Sequence, residues 1–299
     1  MPLENLRAEI LLQSLNLANG EIITTWLLEY PRIIHAEMLT HRLFSRNTAS
    51  SRAVPVSKML KRINDTPFIP SYWGKNQKGM SAANQVDFDT RDEAERLWLA
   101  CLDEALYYSK SLSDLGIHKQ IANRVTEAFQ YIQVVMTTTC DVNFFRLRDD
   151  EDAQPEIAEL ARKMKEAQRI KGVSYQELNP GEWHLPFIRE EDKQEYSPKD
   201  QLVVSCARCA RVSYFLVDGS QSDFEKDLAL ANRLKNSGHF SPFEHAAVAL
   251  EDKVMVGNFT GWMQYRKFIE GEDNKDVDKA TRILTPNQAR SIYSNYNPL

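Results

Sequence analysis

The sequence predicts an α+β fold, with mixed or antiparallel sheets flanked by long helices. Three observations carry that expectation. Two β-branched runs, Ile22-Ile23-Thr24-Thr25-Trp26-Leu27-Leu28 and Tyr131-Ile132-Gln133-Val134-Val135-Met136-Thr137-Thr138, read as strands. Asn19-Gly20 separates the first run from Leu11-Leu12 and Leu15, the signal of a hairpin over 7–30. Apolar residues then recur at helical spacing after Thr90 and after Pro155.

The remaining elements follow in order. Pro31 suits a first helical turn, and Ile34, Met38 and Leu39 give that short helix an apolar side. Residues 56–89 read as irregular, punctuated by Pro67, Pro70 and Gly74. Thr90-Arg91-Asp92-Glu93 has capping-box form and opens a long helix, with Leu97, Cys101, Ala105, Tyr108 and Leu112 on one face and an end at Gly116. A further helix is expected over 118–129. Ile157, Leu160, Ala161 and Met164 form the inner face of the helix that Pro155 opens. Asp223 to Asn236 is helical, with Leu228, Ala231 and Leu234 inward and a stop at Gly238. Ala246 to Val256 reads as a strand and 258–268 as a helix. Because 21–42 also runs strand, helix, then His-Arg, the stretch 246–267 with Arg266-Lys267 reads as a possible structural echo. The domain expectation is a first half over 1–171, a Pro- and charge-rich linker over 172–201, a second half over 202–271 and a polar tail over 272–299.

Composition narrows the function classes. The chain has 299 residues, 42% hydrophobic and 26% charged, which suits one large domain or two ordinary ones. A net charge of −5 argues against a broad nucleic-acid footprint but leaves room for a local phosphate pocket. No run of eighteen apolar residues exists, and the N-terminus lacks a basic region followed by an apolar stretch, so neither a membrane span nor a signal peptide is expected. The expected compartment is the cytoplasm. Cys206 and Cys209 have CxxC spacing, but no second pair completes a zinc site, so they are expected to be ordinary helical cysteines, and no metal site is expected.

The most informative stretch is His41-Arg42-Leu43-Phe44-Ser45-Arg46-Asn47-Thr48-Ala49-Ser50-Ser51-Arg52. It holds three arginines, several hydroxyls and an amide, and no acid. Guanidinium forks match phosphate oxygens, and hydroxyls add short bonds, so the loop is a donor array for an anion. A phosphate monoester or a dinucleotide pyrophosphate would fit. The alternative is a solvated turn-rich loop, against which the uncompensated positive charge argues, because surface loops usually mix signs.

Within that loop, His41, Arg42, Ser45, Asn47, Ser50 and Arg52 fall in step with the signature of the flavin-dependent thymidylate synthases, which the chain resembles. Asn143-Phe144-Phe145-Arg146-Leu147-Arg148 with Ala153-Gln154-Pro155-Glu156-Ile157 is similar to a second segment of that family. Ala210-Arg211-Val212-Ser213-Tyr214 with Ser237-Gly238-His239-Phe240-Ser241-Pro242-Phe243-Glu244-His245 is similar to its N-terminal flavin segment, here placed after the signature rather than before it. That order reads as a permutation or duplication and predicts that the two halves pack together and share a site.

The resemblance implies a set of roles. FAD would contact Ser213, His239, Ser241 and Glu244 from the second half, and His41, Arg42, Asn47 and Asn143 from the first. Ser50, Ser51 and Arg52 would hold the nucleotide phosphate. Arg148 would lie against the pyrimidine, Arg124 would help bind the nucleotide, and Arg52 and Arg148 would be the catalytic arginines, since charge develops on the ring in the transition state. The implied reaction converts dUMP to dTMP, with methylene-tetrahydrofolate as donor, a flavin hydride, and NADPH as the reductant of the flavin. A homo-oligomer, dimer or tetramer, is implied as well. The sequence departs from the signature at Thr40, Thr48 and Ala53, where the family has Arg, Glu and Tyr; Asn123 stands for a nucleotide-binding arginine, and Thr137 and Thr139 fall where the family has Asn and Arg. Arg266 or Lys267 would be the substitute cations.

Overall fold

The computed structural model describes residues 5–82, 84–171, 174–214 and 223–269. The expected tail over 272–299 lies outside the described residues. The chain opens as the sequence reads: β1 (Arg7–Asn16) and β2 (Ile22–Pro31) form an antiparallel hairpin, with Ser14 opposite Ile23. Gly20 turns it at φ 75°, a backbone conformation that costs glycine nothing. β2 also pairs antiparallel with β4 (Tyr131–Thr138), and β4 in turn with the short β3 (Ser45–Thr48). β5 (Gln176–Leu178) adds parallel to β1, so the sheet is mixed, in the order β3-β4-β2-β1-β5.

β2 is buried on both faces, and its alternation assigns one core to each. Trp26, Leu28 and Tyr30 pack with Ile157, Leu160, Ala161 and Met164 of helix α6 (Pro155–Lys171), the face read from the sequence. On the other side, Ile23 packs with Leu178, Ala247, Ala249, Phe259 and Trp262. That second layer contains β6 (Trp183–His184), β7 (Ala247–Ala249) and β10 (Trp262–Gln264), in the order β10-β7-β6.

A buried polar chain joins the layers. His184 bonds Ser14 through Nδ1 and Thr25 through Nε2, both at 2.8 Å; Thr25 bonds Thr137 at 2.7 Å; and Thr137 bonds His245 Nδ1 at 2.9 Å. Asn16 of β1 adds a clamp, donating to the carbonyls of Leu250 and Gly261. The stretch 172–201, expected as a linker, thus carries β5, β6 and helix α7 (Glu190–Glu195) among its described residues, and two of these elements join sheets.

Several sequence expectations need correction. Residues 56–65 are not irregular: helix α2 (Val56–Asp65) buries Val56, Met59 and Ile63, an i, i+3, i+7 pattern that the charged residues between them obscure. The long helix α3 (Phe88–Asp114) starts earlier than Thr90, because the Asp87 carboxylate accepts from the Thr90 amide at 2.9 Å and caps it. Its inner face is Leu102, Ala105 and Ser109, with Trp98 and Leu106 packed alongside; Leu97, Cys101 and Tyr108, one position over, are exposed. Beyond Ala249 the expected long strand breaks up, and the expected helix over 258–268 is instead the hairpin β8 (Met255–Val256) and β9 (Phe259–Thr260), followed by β10 and a 3-10 turn. Gly257 and Gly261, at φ 65° and 73°, impose those turns, so the echo of 21–42 has no structural counterpart.

The second half is held by α8 (Pro198–Ala210) against α9 (Phe224–Asn236). Cys206 and Cys209 are buried free thiols on α8, as expected, and burial pushes both thiols up. Asp227 of α9 is completely buried and receives Arg208 and Arg211, while Arg208 also forks onto Asp192.

His245, which is buried, and His35, which is half-buried, give a pH prediction. Burial lowers His245 to about 3; burial, then the nearby Arg32 and Arg46, lower His35 to about 4. The unfolded chain binds these protons below its ordinary value of about 6.5 and the folded chain does not, so stability falls with pH between about 6.5 and 4. His245 alone contributes a slope of up to about 1.4 kcal/mol per pH unit. The urea midpoint is expected to drop from pH 7 to pH 5, and His245→Gln to flatten that drop; a midpoint unchanged over this range would contradict the assignment.

Candidate functional site

β3 lies inside the stretch expected to be a loop, and its alternation sets the site. Ser45 and Asn47 are buried toward the second half. Ser45 accepts from Gln264 at 2.7 Å and Asn258 at 3.0 Å. Asn47 donates to the Cys209 carbonyl at 2.9 Å and accepts from the Ser241 hydroxyl at 3.2 Å. Next, the Ser50 amide donates to the Ser213 carbonyl at 3.2 Å, and the Ser213 hydroxyl to the Thr48 carbonyl at 3.3 Å. The two halves therefore meet along 45–50, as the unusual segment order requires.

A turn follows, closed by the Ala53 amide on the Ser50 carbonyl at 2.9 Å. Asn123, fully buried, donates to the carbonyls of Ser51 and Val54 at 2.7 and 3.0 Å, and Lys119 donates to that of Ala53. The residue expected to stand for a nucleotide-binding arginine is thus the support that fixes the turn. It projects Arg52, which is exposed and bonds through its amide alone among the described residues.

The surface enclosed by these contacts is an open cleft of about 640 Å³, within the range of small-ligand sites. Asn47, Ser50, Arg52, Ser213, His239 and Ser241 all line it. So do Arg233, Gln120 and Tyr214, which the sequence reading missed, and Arg46, whose guanidinium is tied to the Met38 and His41 carbonyls. Among the described residues, no carboxylate lines it. A smaller cavity of about 400 Å³, lined by Thr138, Thr139, Cys140, Asp141 and Gln168 among others, contrasts with it: burial raises Asp141, and no cation lines it among the described residues.

Other expected site residues do not line the cleft. Ser51 is buried, with its hydroxyl toward Glu127 at 3.4 Å, and Arg124 also pairs with Glu127. Arg148 belongs to a separate cluster, donating to His41 Nε2 at 3.1 Å, to Glu37 at 2.8 Å and to Thr40 at 3.4 Å. His41 packs on Phe44 and Phe144, and burial, followed by Arg148 and Arg46, lowers it to about 4, so it accepts from Arg148 as a neutral ring. Arg42 and Asn143 are exposed. Glu244 is half-buried and pairs with Arg266, one of the two expected substitute cations, and Lys267 approaches Gly257; neither Arg266 nor Lys267 lines the cleft.

Fold and cleft together define an α+β protein whose signature segment forms the wall of an anion-suited cleft. The family of thymidylate synthase complementing protein matches residues 21–170, half of the chain, and the chain belongs to that family, the flavin-dependent thymidylate synthases. The match ends before Ser213, His239 and Ser241. No curated protein matches the chain in sequence. Among solved structures, the chain is similar to a UMP/dUMP methylase, PolB from Streptomyces cacaoi, in two crystal structures. That bound with 5-Br dUMP is 21% identical, covers 49% of this chain and 65% of its own, and has a TM-score of 0.41. That bound with 5-Br UMP is 19% identical, covers 54% and 87%, and has a TM-score of 0.46. The chain thus spans just under two thirds of the first of these relatives. Among the described residues, no helix is long and apolar enough to cross a membrane.

Proposed function

We propose that the chain is a flavin-dependent enzyme that transfers a one-carbon unit to C5 of a pyrimidine nucleotide, with dUMP to dTMP as the reference reaction. The observation that carries this reading is the cleft itself. Ser50 and Arg52 of the signature segment and Ser213, His239 and Ser241 of the second half, the two groups of residues expected around nucleotide and flavin, line one cleft that has no carboxylate among its described residues. That donor set fits the phosphates of FAD. Bound FAD would supply a hydride, with methylene-tetrahydrofolate as the carbon donor and NADPH as the source of electrons. The chain's own residues bind and orient: Arg52 and the Ser50 hydroxyl offer donors to phosphate oxygens, Ser213 and Ser241 add hydroxyls, and Asn47 holds the two halves together.

Arg42, Arg124, Asn143, Arg148 and Glu244 enter this reading from outside the cleft. In it, Arg148 reaches the pyrimidine of a neighbouring copy's site, and the protein is a cytoplasmic homo-oligomer, dimer or tetramer. The exposed stripe Leu97, Cys101 and Tyr108 on α3, with Tyr107 and Leu115, supports such a contact.

Release of tritium from dUMP labelled at C5, with FAD, NADPH and methylene-tetrahydrofolate present, is the expected result. Turnover of another pyrimidine nucleotide or a polymer-borne base, with none of dUMP, would favour a second reading. Two observations favour that alternative, or a non-catalytic nucleotide-binding paralogue: the signature departures at Thr40, Thr48 and Ala53, and the commitment of the Arg148 guanidinium to His41, Glu37 and Thr40.

A further inference from the structure

The arginines around the cleft divide into two groups. Arg46 is bonded to carbonyls, Arg124 to Glu127, Arg148 to Glu37, Arg208 and Arg211 to Asp227, and Arg266 to Glu244. Arg52 and Arg233 line the cleft, and neither guanidinium has a protein partner among the described residues. Both guanidinium groups line one cleft, where their positive potentials add, and an anion bound between them would be stabilised by both.

The placement of Arg233 follows from helix α9. Ala231 is buried, and Leu230 and Leu234 pack partly against the second-half core while also lining the cleft, so this side of the helix forms the cleft wall. Gly238, at φ 71°, then turns the chain, the His239 amide returns to the Leu234 carbonyl at 2.9 Å, and His239 lines the same cleft. Arg233 and His239 are thereby held on one side, facing a shared space with Arg52.

We propose that Arg233 binds phosphate in this cleft, supplying with Arg52 the paired forks that a phosphate or pyrophosphate group of a nucleotide ligand requires. Position 40, where the family carries its first arginine, is Thr in this chain and is engaged with Arg148. Arg233 is the substitute cation, from α9 rather than from Arg266 or Lys267. The inference rests on the reading that the cleft holds an anionic ligand. A cation in the last turn of a helix also complements the helix dipole. Lysine would serve that role equally well, but it lacks the two-pronged geometry.

The test titrates the full chain, Arg233→Gln and Arg233→Lys with FAD, dUMP and inorganic pyrophosphate by calorimetry, with thermal melts alongside. Arg233→Gln is expected to weaken the bound phosphate ligand by roughly 10- to 100-fold with an unchanged melt, and Arg233→Lys to recover only part of that. Parallel losses for FAD and pyrophosphate, with dUMP unaffected, assign Arg233 to a dinucleotide; a loss confined to dUMP assigns it to the nucleotide monophosphate. Unchanged affinity for all three ligands in Arg233→Gln overturns the role of Arg233 while leaving the cleft reading intact. Wild-type protein that binds none of the three overturns both. A loss of affinity matched by a lowered melting temperature and fully restored by lysine reduces Arg233 to a helix-end charge.

Discussion

Asp227→Asn is expected to destabilise the second half more than any other single polar substitution in the chain. Asp227 is fully buried and is the carboxylate that receives both Arg208 and Arg211. Arg208 keeps Asp192 as a second partner, whereas Arg211 loses the carboxylate that both its Nε and its Nη2 address. Breaking a buried ion pair by removing one charge costs about 3–5 kcal/mol, because the other charge stays desolvated. For a chain of this length that lowers Tm on the order of 10 °C. The effect reaches the cleft, since Ser213 lies two residues after Arg211 and its carbonyl accepts from the Ser50 amide. Thermal melts check the first expectation. The second appears as weaker ligand binding well below the melting temperature. A Tm within about 2 °C of wild type would show that the network is not buried as described.

Arg52→Ala is expected to have the complementary signature, with a large effect on chemistry and almost none on stability. Arg52 is exposed, and its side chain makes no hydrogen bond or ion pair among the described residues, so its loss should move Tm by no more than about 2 °C. Removing a preorganised cation from the site where charge develops costs on the order of 100-fold or more in turnover. The value of kcat/KM for the pyrimidine nucleotide is expected to fall accordingly, with Arg52→Lys retaining part of it because it keeps the charge without the fork. Wild-type turnover in Arg52→Ala would remove it from the site.

Much of the fold was legible in the sequence because its strongest elements are driven by local pattern. The second strand of the hairpin at Asn19-Gly20 and the strand over 131–138 are β-branched, apolar runs that suit strands buried on both faces, the helix after Pro155 presents a period that matches one buried face, and the structure buries them so. Where the sequence misled, a competing signal was present. On α3 both 97-101-108 and 98-102-105-109 are credible stripes, and only packing against α2 and Phe129 selects the second. Over 246–268, apolar density suggested strand then helix, but two glycines at positive φ fold the segment into short hairpins. The short β3 was hidden because its residues, Ser45 to Thr48, are polar; its buried side chains bond to the other half rather than pack.

The site was legible to the extent that it depends on local chain. Ser50, Arg52, Ser213, His239 and Ser241 were marked by the spacing of their segments and converge on one cleft. Ser51 was not distinguishable from Ser50 by sequence, yet the turn held by Asn123 points it inward toward Glu127. Arg233 could not be found at all, because an arginine on the polar side of an amphipathic helix is indistinguishable in sequence from a solvated charge.

The visible absorption spectrum of the purified chain, before and after addition of FAD, tests the central claim most directly. A flavin band that remains with the protein through desalting is the predicted result. A colourless protein that retains no FAD after addition would contradict it.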